Sequence, residues 1–162
     1  PMSKHTKHTQ PTDAPVWFIT GCSTGFGLEL TKQAIERGYR TVVTARDLAK
    51  LPGEMVSDHV LVLKLDVTQP EQVAAAVKAA EARFGGIDVL VNNAGTTRSI
   101  PHHDLEAASL DVWREIFETN VFGAWEMTRV AAPHLVEKQG NAVMITSLAG
   151  VRPGGTSVPY SA

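Results

Sequence analysis

The sequence predicts an α/β domain, a doubly wound parallel sheet flanked by helices, and three observations carry that reading. Short β-branched runs alternate with longer helical stretches from residue 16 onward, the pattern of strands joined by crossover helices. The strand-like runs are continuously apolar, as befits parallel strands covered on both faces. A glycine-rich turn, "TGCSTGFG", follows the first of them directly.

The elements can be taken in order. "VWFIT" at 16–20 reads as the first strand, and "GFGLELTKQAIERG" as the first helix, stopped at Gly38, where a left-handed residue ends a helix at no steric cost. "TVVTA" at 41–45 and "HVLVLKLD" at 59–66 are the second and third strands. Thr68, three residues before Glu71 and just ahead of Pro70, reads as a capping box. The helix it opens carries Val73, Ala76, Val77, Ala80 and Phe84 at helical spacing, an apolar stripe for packing on the sheet. "IDVLV" at 87–91 is the fourth strand, a long helix runs from about Ser109 through "FETNVFGAWEMTRVAAPHL", and "NAVMIT" at 141–146 is the fifth strand. Gly154 and Gly155 read as a loop, and Pro159 to Ala162 as the first turn of a helix. With no repeat and no second composition regime, residues 15–162 form one expected domain, preceded by a polar, flexible tail, "PMSKHTKHTQPTDA", whose His5 and His8 are uncommitted.

Composition bounds the function. A chain of 162 residues can bury roughly 70% of its unfolded surface in one domain. With 43% hydrophobic and 20% charged residues it is unlike a disordered segment, and a net charge of −2 without like-charge blocks gives no footing for nucleic acid. Cys22 is the only cysteine, which excludes an internal disulfide and a thiolate metal cluster and suits a reducing, cytoplasmic setting. No apolar run is long enough to span a bilayer, so membrane partners are not expected either.

The chemistry concentrates at the ends of the strands. In "TGCSTGFG", Gly21, Gly25 and Gly27 let the backbone turn tightly and approach a ligand, and the helix that follows offers unpaired N–H groups and a positive dipole end to a phosphate. In a first strand-loop-helix unit this points to dinucleotide binding on a Rossmann-type fold. The glycine spacing resembles that of the classical short-chain dehydrogenase/reductase family, and further motifs agree with it. "NNAG" at 92–95 follows the fourth strand, "LDVT" carries Asp66, "TNVFG" carries Asn120, "ITSLAG" carries Ser147 and "PYSA" carries Tyr160. The resemblance covers essentially Val16 to Ala162. It implies a cofactor site made by Gly21, Ser23, Thr24, Gly25, Phe26, Gly27, Arg46, Asp66, Val67, Asn93, Ala94 and Gly95, and a catalytic set of Asn120, Ser147 and Tyr160.

Those residue types suit an oxidoreductase acting on a carbonyl or secondary alcohol. Hydride movement builds charge on the carbonyl oxygen, which needs a proton donor or acceptor. Tyr160 can serve, with Ser147 holding the same oxygen and Asn120 relaying the proton through backbone or water. A phenol has a pKa of about 10, and each unit toward neutrality costs about 1.36 kcal/mol, so a nearby positive charge must favour the phenolate. The resemblance implies a lysine for this, four residues beyond Tyr160 at position 164, whereas the sequence ends at Ala162. The expectation is therefore that the sequence is part of a longer chain, lacking that lysine and the later strands, with the fifth strand left as an edge. By itself it is expected to turn over nothing at a useful rate. A competing reading is a non-catalytic nucleotide-binding or interaction fragment.

Ala45 and Arg46 end the second strand where a ribose would be read, which suits a 2′-phosphate and points to NADP over NAD. The alternative is a surface charge paired with Asp47. Thr24 stands where many NADP-dependent relatives carry a basic residue. The small side chain of Cys22 suits packing in the glycine loop, and His102, His103 and Asp104 read as surface residues near the mouth of the site. The loop "TTRSIPHHDLEAAS" supplies one wall of the substrate site. His134 and Trp125 read as structural, on a helix resembling the family's dimerisation helix, which implies a homodimer or homotetramer. No metal is expected.

Overall fold

A computed structural model describes residues 13–53, 55, 57–152 and 157–162. The tail with His5 and His8, and the loop glycines Gly154 and Gly155, lie outside the described residues. Five strands, β1 (Val16–Ile19), β2 (Arg40–Ala45), β3 (Val60–Lys64), β4 (Val89–Asn92) and β5 (Asn141–Met144), form one sheet in the order β3-β2-β1-β4-β5. Every neighbouring pair is parallel, with Val16 opposite Arg40, Trp17 opposite Val89, Thr41 opposite Val60 and Val89 opposite Asn141. The order reverses between β1 and β4, so the carboxyl ends of those two strands open onto a crevice, where ligands bind in open parallel sheets.

Helices α1 (Gly25–Glu36), α2 (Pro70–Phe84), α3 (Leu110–Phe117), α4 (Ala124–Glu137) and the short α5 (Val158–Ser161) supply the flanking layers. Successive strand residues feed opposite cores, as the period of two requires. Phe18 and Val42 pack with Val73, Ala76, Val77 and Ala80 of α2 and with Met127 and Ala131 of α4. Ile19, Val43 and Val91 pack on the other face with Ala34 of α1 and Cys22. Phe84 packs half-buried against the first cluster, completing the expected stripe. Helix α1 ends as the sequence indicates: Gly38 has φ 75°, its N–H donates to the Ile35 carbonyl and the Tyr39 N–H to the Ala34 carbonyl, a Schellman motif.

Three expectations need correction. The residue flanking α2 is Gln69, with no side-chain cap, so Thr68 and Glu71 form no capping box. The Thr68 hydroxyl is instead drawn back to Asp66, donating to its Oδ1 at 2.8 Å. The long helix is not continuous: α3 passes through a π-helical stretch, Glu118–Gly123, before α4 resumes. The apolar run of the fifth strand reads as one buried on both faces, yet β5 is exposed along its whole length; the sheet edge it occupies among the described residues is the position expected for it. A continuous apolar run reports what a strand can bury, not whether a neighbour is there to bury it.

Candidate active site

Two clefts open at the carboxyl ends of β1 and β4. The first, of about 300 Å³, takes Gly21, Ser23 and Thr24 from the glycine loop and Arg46 from the end of β2. Asp66 and Val67, after β3, and Asn93, Ala94 and Gly95, after β4, complete the predicted part of its lining. The second, of about 670 Å³, shares Asn93, Ala94 and Gly95 with the first and adds Phe26, Asn120, Ser147 and Tyr160. Residues from segments far apart in sequence, assigned separately to cofactor and chemistry, thus meet in two adjoining spaces.

The three glycines do different work. A Cβ on Gly27 would collide with the Gly21 carbonyl oxygen and Asn93 Nδ2, and one on Gly21 would lie 2.9 Å from Ala94 Cα. Both residues therefore let α1, the turn after β1 and the turn after β4 close on one another. Gly25 has φ 59° and nothing within 4 Å of its Cβ position, so its conformation alone demands glycine. Thr24 flanks the start of α1 without a side-chain cap, and the first turn holds no acidic residue. Its N–H groups are left to an anion, which is the fit a dinucleotide pyrophosphate requires.

Thr20, which the sequence reading passed over, binds the two turns together. Its hydroxyl donates to the Val91 carbonyl at 3.2 Å and accepts from the N–H groups of Asn93 and Ala94, both at 2.9 Å. Asn93 Nδ2 returns bonds to the carbonyls of Thr20 and Gly21 at 2.9 and 3.0 Å. Thr20 opens "TGCSTGFG", but only tertiary proximity shows this role. Cys22 is buried in the same turn, its thiol donating to the Ile19 carbonyl at 3.1 Å. Burial pushes that thiol above its ordinary pKa, against hydrogen bonds that pull it down, so it is a packing group held protonated.

Just past β2, Asp47 does not pair with Arg46 among the described residues. Its carboxylate accepts the Ala49 N–H at 3.1 Å and caps a single 3-10 turn, Leu48–Lys50. Lys50 and Thr119 also reach the first cleft; Thr119 opens "TNVFG", whose implied site residue is Asn120 alone, and Lys50 lies in none of the motifs. Asp66 Oδ1 accepts from the N–H and hydroxyl of Thr68 at 3.0 and 2.8 Å, which fixes the carboxylate at the cleft edge.

On the reacting side, the amide of Asn120 is committed at both ends. Oδ1 accepts the Thr96 N–H at 2.8 Å and Nδ2 donates to the Thr96 carbonyl at 2.9 Å, tying the π-helical stretch to the loop after β4. Local π-turns of this kind recur at functional sites. Ser147 Oγ accepts the Ala149 N–H at 3.1 Å, leaving its O–H free to donate into the cleft. Arg98 forms a bidentate pair with Glu115, bracing the loop after β4 on α3. His102, His103 and Asp104 are exposed in that loop and outside the lining of either cleft. His134 is half-buried, whereas Trp125, expected to be structural, is 64% exposed on α4.

The model of the short chain dehydrogenase family matches residues 15–162. The chain belongs to that family. One relative, provisionally named ketoacyl reductase 2 of the granaticin polyketide synthase of Streptomyces violaceoruber, is 42% identical over 158 residues, covering 94% of this chain and 63% of its own. Human dehydrogenase/reductase SDR family member 7 is 37% identical over 161 residues, covering 93% and 46%. The chain therefore spans about half to two thirds of the length of these relatives. Among solved short-chain dehydrogenases, a 3-ketoacyl-(acyl-carrier-protein) reductase from Brucella melitensis complexed with NADH superposes with a TM-score of 0.83 at 32% identity, covering 93% of this chain and 64% of its own. A gluconate 5-dehydrogenase from Burkholderia cenocepacia, in complex with NADP and tartrate, gives 0.80 at 30% identity, covering 92% and 60%. The family binds NAD(P), and both forms of the cofactor occur among these neighbours. No helix of the described residues is long and apolar enough to cross a membrane.

Proposed function

We propose that this chain carries the dinucleotide site and reacting side chains of an oxidoreductase that moves hydride between NADP(H) and a neutral carbonyl or secondary alcohol. The observation that carries the reading is the convergence of Asn120, Ser147 and Tyr160 on one cleft continuous with the glycine-loop cleft. When bound, the dinucleotide would supply or accept the hydride through its nicotinamide. The chain's own residues handle the oxygen and its proton. The Tyr160 hydroxyl exchanges the proton as general acid or base. The Ser147 hydroxyl, its acceptor side already held by Ala149, donates to the same oxygen and aligns it. Because the Asn120 amide is spent on Thr96, the relay assigned to Asn120 runs through its backbone.

Two observations sharpen the reading. Among the described residues no charged side chain lines the second cleft, and the lysine expected four residues beyond Tyr160 would be engaged with that phenol, which favours an uncharged substrate. Arg46 lines the first cleft beside Asp47 with no ion pair among the described residues, which favours the 2′-phosphate of NADP over a free hydroxyl. We further assign a homo-oligomer, built through the exposed Phe122 and Trp125 beside the π-turn, and a cytoplasmic location consistent with the single reduced thiol, which cell fractionation checks.

The chemistry is tested by NADPH consumption with neutral ketones in the full-length protein, where the family resemblance leads us to expect a lysine four residues beyond Tyr160. Tyr160→Phe and Ser147→Ala should each lower kcat at least about a hundredfold while NADPH affinity stays within about threefold. Ordinary turnover by Tyr160→Phe would overturn the assignment.

A further inference from the structure

The first cleft holds a cationic side chain that no motif of the chain accounts for. Lys50 closes the 3-10 turn Leu48–Lys50, five residues past the end of β2, and its side chain lines the same space as Arg46, Ala45 and Asp66. The turn is held by Asp47, whose carboxylate caps the Ala49 N–H. That one local bond fixes the backbone from which Lys50 reaches the cleft, while the Asp47 carboxylate, still charged, lines the same space. None of the four ion pairs among the described residues involves Arg46 or Lys50, so both cations are available to a ligand there. Arg46 and Lys50 line the cleft together with Ala45 and the carboxylates of Asp47 and Asp66, and a phosphate dianion gains more from two unpaired cations than a neutral hydroxyl does.

We propose that Lys50 is a specificity-determining residue, the second cation that reads the adenosine 2′-phosphate, with Asp47 as the residue that positions it; this rests on the NADP reading given above. Arg46 presents a planar fork to the phosphate, and Lys50 adds a mobile point charge from the opposite end of the turn. Removing Lys50 should weaken ligands that carry the 2′-phosphate and leave those without it alone.

The test is equilibrium binding of 2′,5′-ADP and 5′-AMP to the full-length protein by calorimetry, for wild type, Lys50→Gln, Lys50→Arg and Arg46→Gln. Lys50 is exposed, so its substitution leaves the fold intact. The expected result is a wild-type preference for 2′,5′-ADP, a loss of about tenfold on that ligand in Lys50→Gln, less than about twofold on 5′-AMP, and retention in Lys50→Arg. A wild-type preference that Lys50→Gln leaves unchanged, with Arg46→Gln abolishing it, would overturn the role of Lys50 and leave the NADP reading standing. Equal binding of the two ligands by wild type would overturn the NADP reading and this inference with it.

Discussion

A single methyl group added at Gly27 separates packing from ligand binding in the glycine loop. The new Cβ would lie against the Gly21 carbonyl oxygen and Asn93 Nδ2, closer than real Cβ contacts come. Helix α1 must shift off the turn after β1, because the Gly21 oxygen is backbone, and Asn93 must swing away and give up its bonds to the carbonyls of Thr20 and Gly21. Overpacking costs about 1–3 kcal/mol, and two lost hydrogen bonds add about 1 kcal/mol each. Gly27→Ala should therefore lose about 3–5 kcal/mol, from a total of about 5–15, and lower Tm by roughly 10 °C. Gly25→Ala meets nothing within 4 Å and pays only for its left-handed backbone, about 1–2 kcal/mol. Urea denaturation of both variants beside wild type, with 2′,5′-ADP binding measured on the folded fraction, gives the comparison. A Gly27→Ala protein as stable as Gly25→Ala would refute the packing argument.

Thr20→Val should cost about 2–4 kcal/mol by leaving the N–H groups of Asn93 and Ala94 without their acceptor, while Thr20→Ser keeps most of it; equal urea midpoints for the two would contradict that. Cys22, raised by burial, binds its proton more tightly folded than unfolded, so its contribution to stability is whole below the unfolded thiol pKa and falls as pH rises through the folded value. Cys22→Ala should flatten that alkaline decline in urea melts, and an unchanged slope would rule the thiol out as its source. Trp125→Glu should weaken self-association at least about tenfold in sedimentation, and a wild-type protein that stays monomeric at high concentration would remove the assigned interface.

How much was legible in the sequence differs by kind of residue. The strands, the helix stripe of Val73 to Phe84, and the glycine, Asn120, Ser147 and Tyr160 motifs could be read because periodicity and spacing are properties of the chain itself. Parallel order follows from alternation of strand and helix, since crossovers of that length leave few other arrangements. The competition for local hydrogen bonds was not legible. Thr68 had two short-range partners open to it and took Asp66 over a helix cap; Asp47 took Ala49 over Arg46. Each choice depends on backbone angles set by the whole sheet.

Only the tertiary structure gave Thr20 its place, because its three partners lie more than seventy residues away. It likewise showed that Gly21 and Gly27 admit close neighbours while Gly21 and Gly25 take left-handed turns, broke the long helix at the π-turn where Asn120 clasps Thr96, and brought Lys50 to the first cleft. By itself the sequence determined which chemistry the chain can assemble, since that depends on residue type and order. The fold decided which side chains are already spent holding turns together and which remain free for a ligand, because a hydrogen-bonding group buried against one partner is unavailable to another.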